Sequence, residues 1–125
     1  GAEILEEAIS KAAPGARVGE ISKAIGEGLK KRELSPVRAL TGHGIGRQLH
    51  ESPYIPMVLE GAVAKTLALR VGDALAIEVI YTLGTGEVKL SRDGWTIETS
   101  DAKIAGIFEE TVVISGDGHI VVTKR

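Results

Sequence analysis

Two histidines and two glutamates stand out in this 125-residue chain as side chains placed for chemistry. His43 lies between two glycines, and His50 follows it beside a glutamate and near a proline. Glu78 and Glu109 each interrupt an apolar run typical of a β-strand. An ionised carboxylate that is buried without a partner costs several kcal/mol, so each glutamate must be paired, coordinated or exposed.

The simplest interpretation is that both carboxylates face solvent, because an alternating strand has a wet face at every second residue. This interpretation is weaker for Glu78, because Ala76 and Ile80 on the same face of the strand are apolar. One imidazole and two carboxylates from three separate strands form a ligand set that suits manganese, iron, cobalt or zinc. The spacing alone does not decide between solvent exposure and a metal site.

Composition excludes several classes of function. The chain has no cysteine, so it cannot contain a disulfide, a thiolate metal site or a cysteine nucleophile. A net charge of −2 and an aromatic content of 3% argue against a nucleic-acid-binding surface. The chain shows neither an apolar run of membrane-spanning length nor the layout of a signal peptide. We therefore expect a cytoplasmic protein with small or peptidic partners and no membrane association.

Apolar residues at helical spacing predict two helices in the first third of the chain. The first should run from Ala2 to Ala13 and end at Pro14-Gly15, and the second should run from about Val18 to Glu33. Gly26 and Gly28 inside the second helix each cost about 1 kcal/mol relative to alanine. Close packing against a neighbouring element would explain why they are there.

Behind Pro36 the pattern changes to β-branched, apolar runs separated by glycine-containing turns. The sequence predicts strands at Ala74–Leu83, Val88–Leu90, near Trp95–Glu98, at Ile104–Ile114 and at His119–Thr123. We expect an α+β fold in which two helices pack on one face of a mostly antiparallel sheet. At this length residues 1–125 should form a single domain.

The stretch GHGIGRQLHESPYIP at residues 42–56 closely resembles the signature of the methionine aminopeptidases. These belong to the pita-bread metallopeptidases (peptidase M24), together with the prolidases and aminopeptidase P. Three further segments resemble the family in the right order: LRVGDALAIEV (69–79), DGWTIETSD (93–101) and GIFEETVVI (106–114). The resemblance covers nearly the whole chain, and Arg47 favours methionine aminopeptidases over prolidases.

The resemblance implies a metal centre that contains His43, Glu78 and Glu109. His43 would be an imidazole ligand and the two glutamates carboxylate ligands, with Glu109 bridging two metals. The cofactors that the resemblance implies are divalent ions of manganese, iron, cobalt or zinc, with room for two in a completed site. Glu109 would also take part in catalysis, near the bridging water.

The resemblance also implies residues that contact a peptide substrate. His50 would hydrogen-bond the scissile amide and stabilise the developing oxyanion; the alternative is a hydrogen-bonded structural histidine. Leu49 and Trp95 match positions near the family's pocket for the methionine side chain. For Trp95 a place in the hydrophobic core is an equally good interpretation, because large aromatic side chains are normally mostly buried.

The chain departs from the family pattern in its acidic residues and in two neighbouring positions. Family members place two aspartate ligands ahead of the first segment matched here, and none of the chain's four aspartates, Asp73, Asp93, Asp101 and Asp117, matches them. Glu110 stands where methionine aminopeptidases usually have histidine, and Ile107 where they usually have glutamine. The departures at Glu110 and Ile107 affect which substrate would bind and do not remove a metal ligand.

The chain thus resembles the C-terminal half of a fold built from two similar halves. We expect the site to be completed by a second chain, which is either a copy of itself in a twofold homodimer or a separate N-terminal half. In a homodimer the composite site would contain four glutamates and two copies of His43. The alternatives are a non-catalytic pita-bread module that binds peptides or proteins, and an isolated or engineered fragment of the fold without activity.

Overall fold

In the computed structural model, which describes residues 1–124, two helices cover one face of an antiparallel sheet. The helices are α1 (Ala2–Ile9) and α2 (Val18–Lys31), and a short 3-10 helix spans Val63–Lys65. The strands are β1 (Ser35–Pro36), β2 (Thr41–Ile45), β3 (Glu51–Pro56), β4 (Ala74–Thr82), β5 (Val88–Leu90), β6 (Ile97–Thr99), β7 (Ala105–Ser115) and β8 (Gly118–Val121). The predicted α+β class is confirmed.

The main sheet has the strand order β3-β2-β4-β7-β8, and the short β1 pairs with the end of β4. All pairings are antiparallel, and β5 and β6 form a separate two-stranded hairpin. The ladder between β4 and β7 is the longest, extending from Ala74 opposite Val113 to Thr82 opposite Ala105. This ladder determines which residues of the two longest strands face each other.

Residues of β4 alternate between the helix-covered core and the opposite face of the sheet. Leu75, Ile77 and Val79 are fully buried and belong to one cluster with residues of both helices. The main helix residues of that cluster are Ile4, Leu5, Ile9, Ile21, Ile25 and Leu29. The intervening residues Ala76 and Glu78 therefore lie on the face turned away from the helices, because successive side chains in a strand point to opposite sides.

Both helices end earlier than the apolar spacing predicts. After Ile9 the chain makes tighter bonds, with the amides of Lys11 and Ala12 donating to carbonyls three residues back at 3.1 and 2.9 Å. After Lys31 the left-handed residue Glu33 (φ 55°) allows the Leu34 amide to donate to the Leu29 carbonyl at 3.0 Å. This is the Schellman arrangement, which usually uses glycine at the left-handed position. A glutamate at the left-handed position does not mark the end of a helix in the sequence as a glycine would.

The expected close packing of the helical glycines is confirmed at one of the two positions. A Cβ on Gly28 would lie 2.9 Å from a methyl carbon of Ile4, so α1 and α2 approach each other there too closely for a side chain. A Cβ on Gly26 would come no nearer than 3.4 Å to the Met57 carbonyl oxygen, which is an ordinary contact. Helix packing therefore accounts for Gly28 and not for Gly26.

The predicted strands from Ala74 onward are confirmed, with ends that differ by one or two residues. Three strands of the structure, β1, β2 and β3, have no predicted bounds, although His43 in β2 was expected to lie on a strand. Prolines at positions 53 and 56 lie in β3, which pairs only with β2 and forms one edge of the main sheet. Proline cannot donate to a ladder and is tolerated at such edges, which is why this segment does not show a strand pattern. Within residues 1–124 no helix is long and apolar enough to cross a membrane.

Candidate metal centre

His43 and Glu78 come together on the face of the sheet that the helices leave uncovered. His43 on β2 lies directly opposite Ala76 on β4, so its side chain shares a face with Glu78, two residues further along. His43 Nε2 is 3.5 Å from Glu78 Oε1. The residues are 5% and 9% exposed, so this pair is almost fully removed from water.

The orientation of the His43 ring is determined by a backbone carbonyl. Nδ1 lies 2.9 Å from the Gly44 oxygen, and since a carbonyl can only accept, Nδ1–H is the donor. In the neutral ring this leaves the Nε2 lone pair directed toward Glu78. A hydrogen bond from the remote ring nitrogen is the usual way in which proteins orient a metal-binding histidine.

Glu109 faces Glu78 across the ladder between β4 and β7. The two glutamates are register partners, and directly opposed side chains of an antiparallel pair lie on the same face. The neighbouring Glu110 is opposite Ile77, on the helix side of the sheet, where its carboxylate accepts a hydrogen bond from the Thr123 hydroxyl. Of the two adjacent carboxylates only Glu109 is directed toward the His43–Glu78 pair.

Electrostatics make Glu78 the unusual group of this cluster. Burial raises the pKa of its carboxyl above the ordinary value, and the nearby charge of Glu109 raises that pKa further, whereas His43 opposes the shift. Burial disfavours the ionised form, and two carboxylates that share a site repel each other. A cation between them would reverse both effects, so this donor set fits a divalent metal.

The loop between β2 and β3 brings His50 close to His43. Its ring centroid is 4.2 Å from that of His43, and the ring planes are inclined at 53°. The pairing of β2 with β3 shifts register between His43 and Gly44, which gives the connecting loop its irregular path. His50 is exposed, so it is available to a ligand, and its contact with a substrate stays a prediction.

Leu49 and Trp95 are both strongly exposed, at 69% and 87%. The alternative that placed Trp95 in the hydrophobic core is therefore wrong. Asp93 shapes the turn that carries it, accepting hydrogen bonds from the amides of Trp95 and Thr96 at 2.9 and 2.8 Å. The role of these two side chains in a substrate pocket stays a prediction.

An apolar pair of residues lies beside the two carboxylates, and the sequence did not predict that its two members pair. Ile80 lies opposite Ile107 in the ladder, one step along the same face from Glu78 and Glu109. Ile107 is 58% exposed, whereas Ile80 is buried. The sequence showed Ile80 as an apolar neighbour of Glu78 and Ile107 as a departure from the family pattern, but only the register shows that these two residues lie opposite each other. Together they place an apolar surface next to the acidic pair.

The structure thus brings together two of the three predicted donors and places the third opposite them. His43 Nε2 and Glu78 Oε1 are 3.5 Å apart, and Glu109 faces Glu78 across the ladder between β4 and β7. No group of three or more histidine, aspartate or glutamate side chains between residues 1 and 124 is arranged as a complete metal site. Imidazole and carboxylate ligands suit manganese, iron, cobalt or zinc, but this chain alone supplies too few of them in place.

The burial of Glu78 leads to a first prediction, about stability. In chelator-treated protein, Glu78→Gln should raise the free energy of unfolding by on the order of 1 kcal/mol at neutral pH, because it removes a desolvated charge next to a second carboxylate. The pKa of Glu78 is higher in the folded than in the unfolded chain. The stability that Glu78 contributes is therefore present below its unfolded pKa and lost as pH rises through its folded pKa. The advantage of glutamine should shrink on acidification, as urea unfolding at several pH values would show.

Glu109→Gln is the matched control for this prediction. Glu109 is exposed, so its carboxylate carries little desolvation cost of its own. Its replacement removes only the repulsion with Glu78, and the gain in free energy of unfolding should be smaller. A loss of stability in Glu78→Gln at neutral pH would mean that the carboxylate forms a net stabilising pair with His43 in the absence of metal.

Comparison with known proteins agrees with this geometry. Residues 2–116 match metallopeptidase family M24. The chain belongs to that family. The match includes His43, Glu78 and Glu109, and it covers the helices as well as most of the sheet. The M24 family consists of metallopeptidases, so divalent metal cofactors are implied at the level of the family.

Curated relatives in this family are methionine aminopeptidases. The chain is 39% identical over 122 residues to the methionine aminopeptidase of Aquifex aeolicus (strain VF5), covering 98% of this chain and 47% of that protein. It is 38% identical over 122 residues to methionine aminopeptidase 1 of Bacillus subtilis (strain 168), covering 98% and 48%. The chain spans about half the length of the curated relatives it matches.

Solved structures show which fold this half shares. The methionine aminopeptidase of Thermotoga maritima superposes with a TM-score of 0.92 at 38% identity, over 99% of this chain and 49% of that one. The prolidase of Pyrococcus furiosus superposes with a TM-score of 0.72 at 22% identity, over 99% and 30%, and this shows the fold alone. The expected half of a pita-bread fold is confirmed.

Proposed function

We propose that this chain contributes one half of a metal-dependent aminopeptidase centre that removes N-terminal residues from peptides in the cytoplasm. The observation that supports this most directly is the placing of His43, Glu78 and Glu109 on one face of the sheet, with His43 Nε2 3.5 Å from the Glu78 carboxylate. The similarity to methionine aminopeptidases supports an N-terminal methionine as the residue removed.

In this proposal His43, Glu78 and Glu109 are the metal donors of the chain. A divalent ion bound there would supply Lewis-acid polarisation of a peptide carbonyl and would activate water for attack. The hydrogen bond from His43 to the Gly44 carbonyl keeps Nε2 turned toward the cluster. The burial of Glu78 excludes water from one side of the cluster, so charges placed there interact more strongly than in solvent.

His50 is the group available to a substrate in this arrangement. Its ring lies against His43 and is exposed, so it can hydrogen-bond a peptide carbonyl or amide held at the cluster. A donor in that position would stabilise negative charge that develops on the carbonyl oxygen. Leu49, Trp95 and the pair of Ile80 and Ile107 are the apolar side chains proposed to receive the N-terminal residue of the peptide.

A second chain is proposed to supply the missing donors, either as a copy in a twofold homodimer or as a separate N-terminal half. The face that carries the cluster is not covered by the helices, and Ile107 and Ile120 are exposed on it. Large apolar side chains are also exposed elsewhere in the chain, at Leu49, Leu90, Trp95 and Ile97. Exposed apolar surface of this extent is typical of a site that a partner covers. In the homodimer, two sets of His43, Glu78 and Glu109 would hold a pair of metal ions between them.

The competing proposal is a non-catalytic pita-bread module or a fold fragment without activity. It is favoured by the absence of a complete three-residue metal group between residues 1 and 124. Metal binding separates the two proposals before any activity is measured. Protein that binds no divalent ion would exclude the catalytic proposal.

The second prediction concerns which glutamate holds the metal. Glu109→Ala should weaken the binding of Mn²⁺ or Co²⁺ by at least about tenfold, and His43→Ala should do the same, because each removes a donor. Glu110→Ala should have little effect, since its carboxylate lies on the helix side with Thr123. Calorimetric titration of chelator-treated protein gives the affinities. Equal losses in Glu109→Ala and Glu110→Ala would show that the wrong carboxylate has been assigned.

A further inference from the structure

The loop between β2 and β3 carries His50, and its residues have little packing of their own. Residues 46–50 are all exposed and form neither a helix nor a strand. An exposed side chain on such a loop is placed by the path of its backbone, because few neighbouring atoms hold it. The His50 ring nevertheless lies against the His43 ring, with the centroids 4.2 Å apart. A contact that fixes the path of the loop would explain this placement.

Glu51 connects the end of this loop to the sheet. Its backbone belongs to β3 and lies opposite Gly44 of β2, directly after the register shift at His43. The residue is half-buried, unlike the loop residues before it. Its side chain turns back over the loop, and the Gln48 amide donates a hydrogen bond to Glu51 Oε2 at 3.4 Å. This bond gives a backbone amide of the loop an acceptor that is fixed to the sheet.

The same carboxylate covers Gly46 at the beginning of the loop. A Cβ on Gly46 would overlap Glu51 Oε1 and would lie 2.6 Å from the carboxyl carbon. The absence of a side chain at position 46 therefore gives the carboxylate its space. The Gly46 amide also donates to the Gln48 carbonyl at 3.1 Å. One carboxylate thus contacts both the first and the third residue of the loop.

We propose that Glu51 is a positioning residue, which holds residues 46–50 closed and thereby keeps the His50 ring against His43. His50 immediately precedes Glu51, so any change in the path of the loop moves its ring. Groups that must meet a substrate in one orientation are usually held by such a second layer of contacts. The placement of the ring is independent of metal and of turnover, whereas its consequence for a substrate rests on the function proposed for His50.

The chain has only three histidines, so the placement of His50 can be measured by NMR without metal or substrate. In chelator-treated protein with labelled histidine rings, a nuclear Overhauser cross-peak should join ring protons of His43 and His50, because the rings are in contact. His119 is the internal reference. It lies on β8 at the opposite edge of the sheet, where its Nδ1 is 2.8 Å from the Ala12 carbonyl oxygen. Its ring signals should not change in any loop variant.

Two variants remove the proposed contact in different ways. Glu51→Ala deletes the carboxylate, and Gly46→Ala displaces it, since the atoms nearest to the new Cβ all belong to the Glu51 carboxyl group. That group is the end of a flexible side chain, so Gly46→Ala should keep its fold and melting temperature. Both variants should lose the cross-peak between His43 and His50. Glu51→Gln keeps an oxygen acceptor on a side chain of the same length and should retain the cross-peak.

Glu27→Ala is the matched control, because it removes an exposed carboxylate from α2, and it should retain the cross-peak. If Glu51→Ala does not fold, Gly46→Ala decides the question alone. The proposal is overturned if the parent chain shows no cross-peak, if Gly46→Ala retains it, or if Glu51→Gln or Glu27→Ala loses it as fully as Glu51→Ala. Since the measurement needs neither metal nor turnover, a chain without aminopeptidase activity would give the same result.

Discussion

If the proposed second chain completes the site, the purified chain, verified as a monomer by light scattering, should hydrolyse methionyl peptides at least about a thousandfold more slowly than the assembled form. The donors that the structure brings together are His43, Glu78 and, facing them, Glu109. Such a set would hold a metal incompletely and would leave the proposed substrate side open to water. Turnover should therefore follow the assembled fraction as protein concentration is raised, in a coupled peptide assay with Mn²⁺ or Co²⁺.

Removal of the metal provides the control for assembly. If two copies share one centre, their glutamates converge and repel each other without a cation, so chelation should weaken the dimer. Efficient turnover by a verified monomer would contradict the need for a second chain. A chain that is monomeric with and without chelator at tens of micromolar protein would exclude the homodimer and leave a separate N-terminal half as the partner.

Gly44→Ala should cause the largest loss of stability among the site residues, about 3 kcal/mol or more. A Cβ at this position would lie 2.8 Å from the Ser52 carbonyl carbon and 2.9 Å from the Glu51 oxygen, and closer still to the Ser52 oxygen. These are backbone atoms of β3 and cannot move aside as a side chain can. The substitution must separate β2 from β3, and the His43 ring should lose its fixed orientation with them.

Gly116→Ala is the matched control, because a Cβ there has no neighbour within 4 Å. Its free energy of unfolding should stay within about 0.5 kcal/mol of the parent chain. Urea unfolding measures both variants. A Gly44→Ala protein as stable as the control would mean that β3 is not held against β2 as closely as the structure indicates.

The sequence predicted those parts of the fold that repeat along the chain. Helical spacing identified both helices, and β-branched runs identified the strands from β4 onward. The apolar neighbours of Glu78 at positions 76 and 80 argued against a solvent-exposed carboxylate, because alternation along a strand puts all three residues on one face. Alternation does not predict the register between two strands. The register places Glu109, and not Glu110, opposite Glu78.

Other features depended on backbone conformations that residue type does not reveal. The end of α2 uses a glutamate, Glu33, at a positive φ where glycine is usual. The edge strand β3 contains prolines that argue against a strand. The orientation of His43 depends on the Gly44 carbonyl, a group that every residue possesses. The position of the Glu51 carboxylate over Gly46 likewise becomes visible only in the folded chain.

The alternation along β4 has a consequence for how such a protein can change over generations. Leu75, Ile77 and Val79 pack against the helices, whereas Ala76 and Glu78 lie on the opposite face with His43. A substitution on one face therefore need not change the side chains on the other. A single-residue insertion would exchange the two sides, turning Glu78 into the core and Ile77 to the face that carries His43. Point substitutions in β4 can therefore explore new specificities, whereas changes in its length are excluded. Length variation should be confined to segments such as the separate β5–β6 hairpin, where a shift would leave this strand undisturbed.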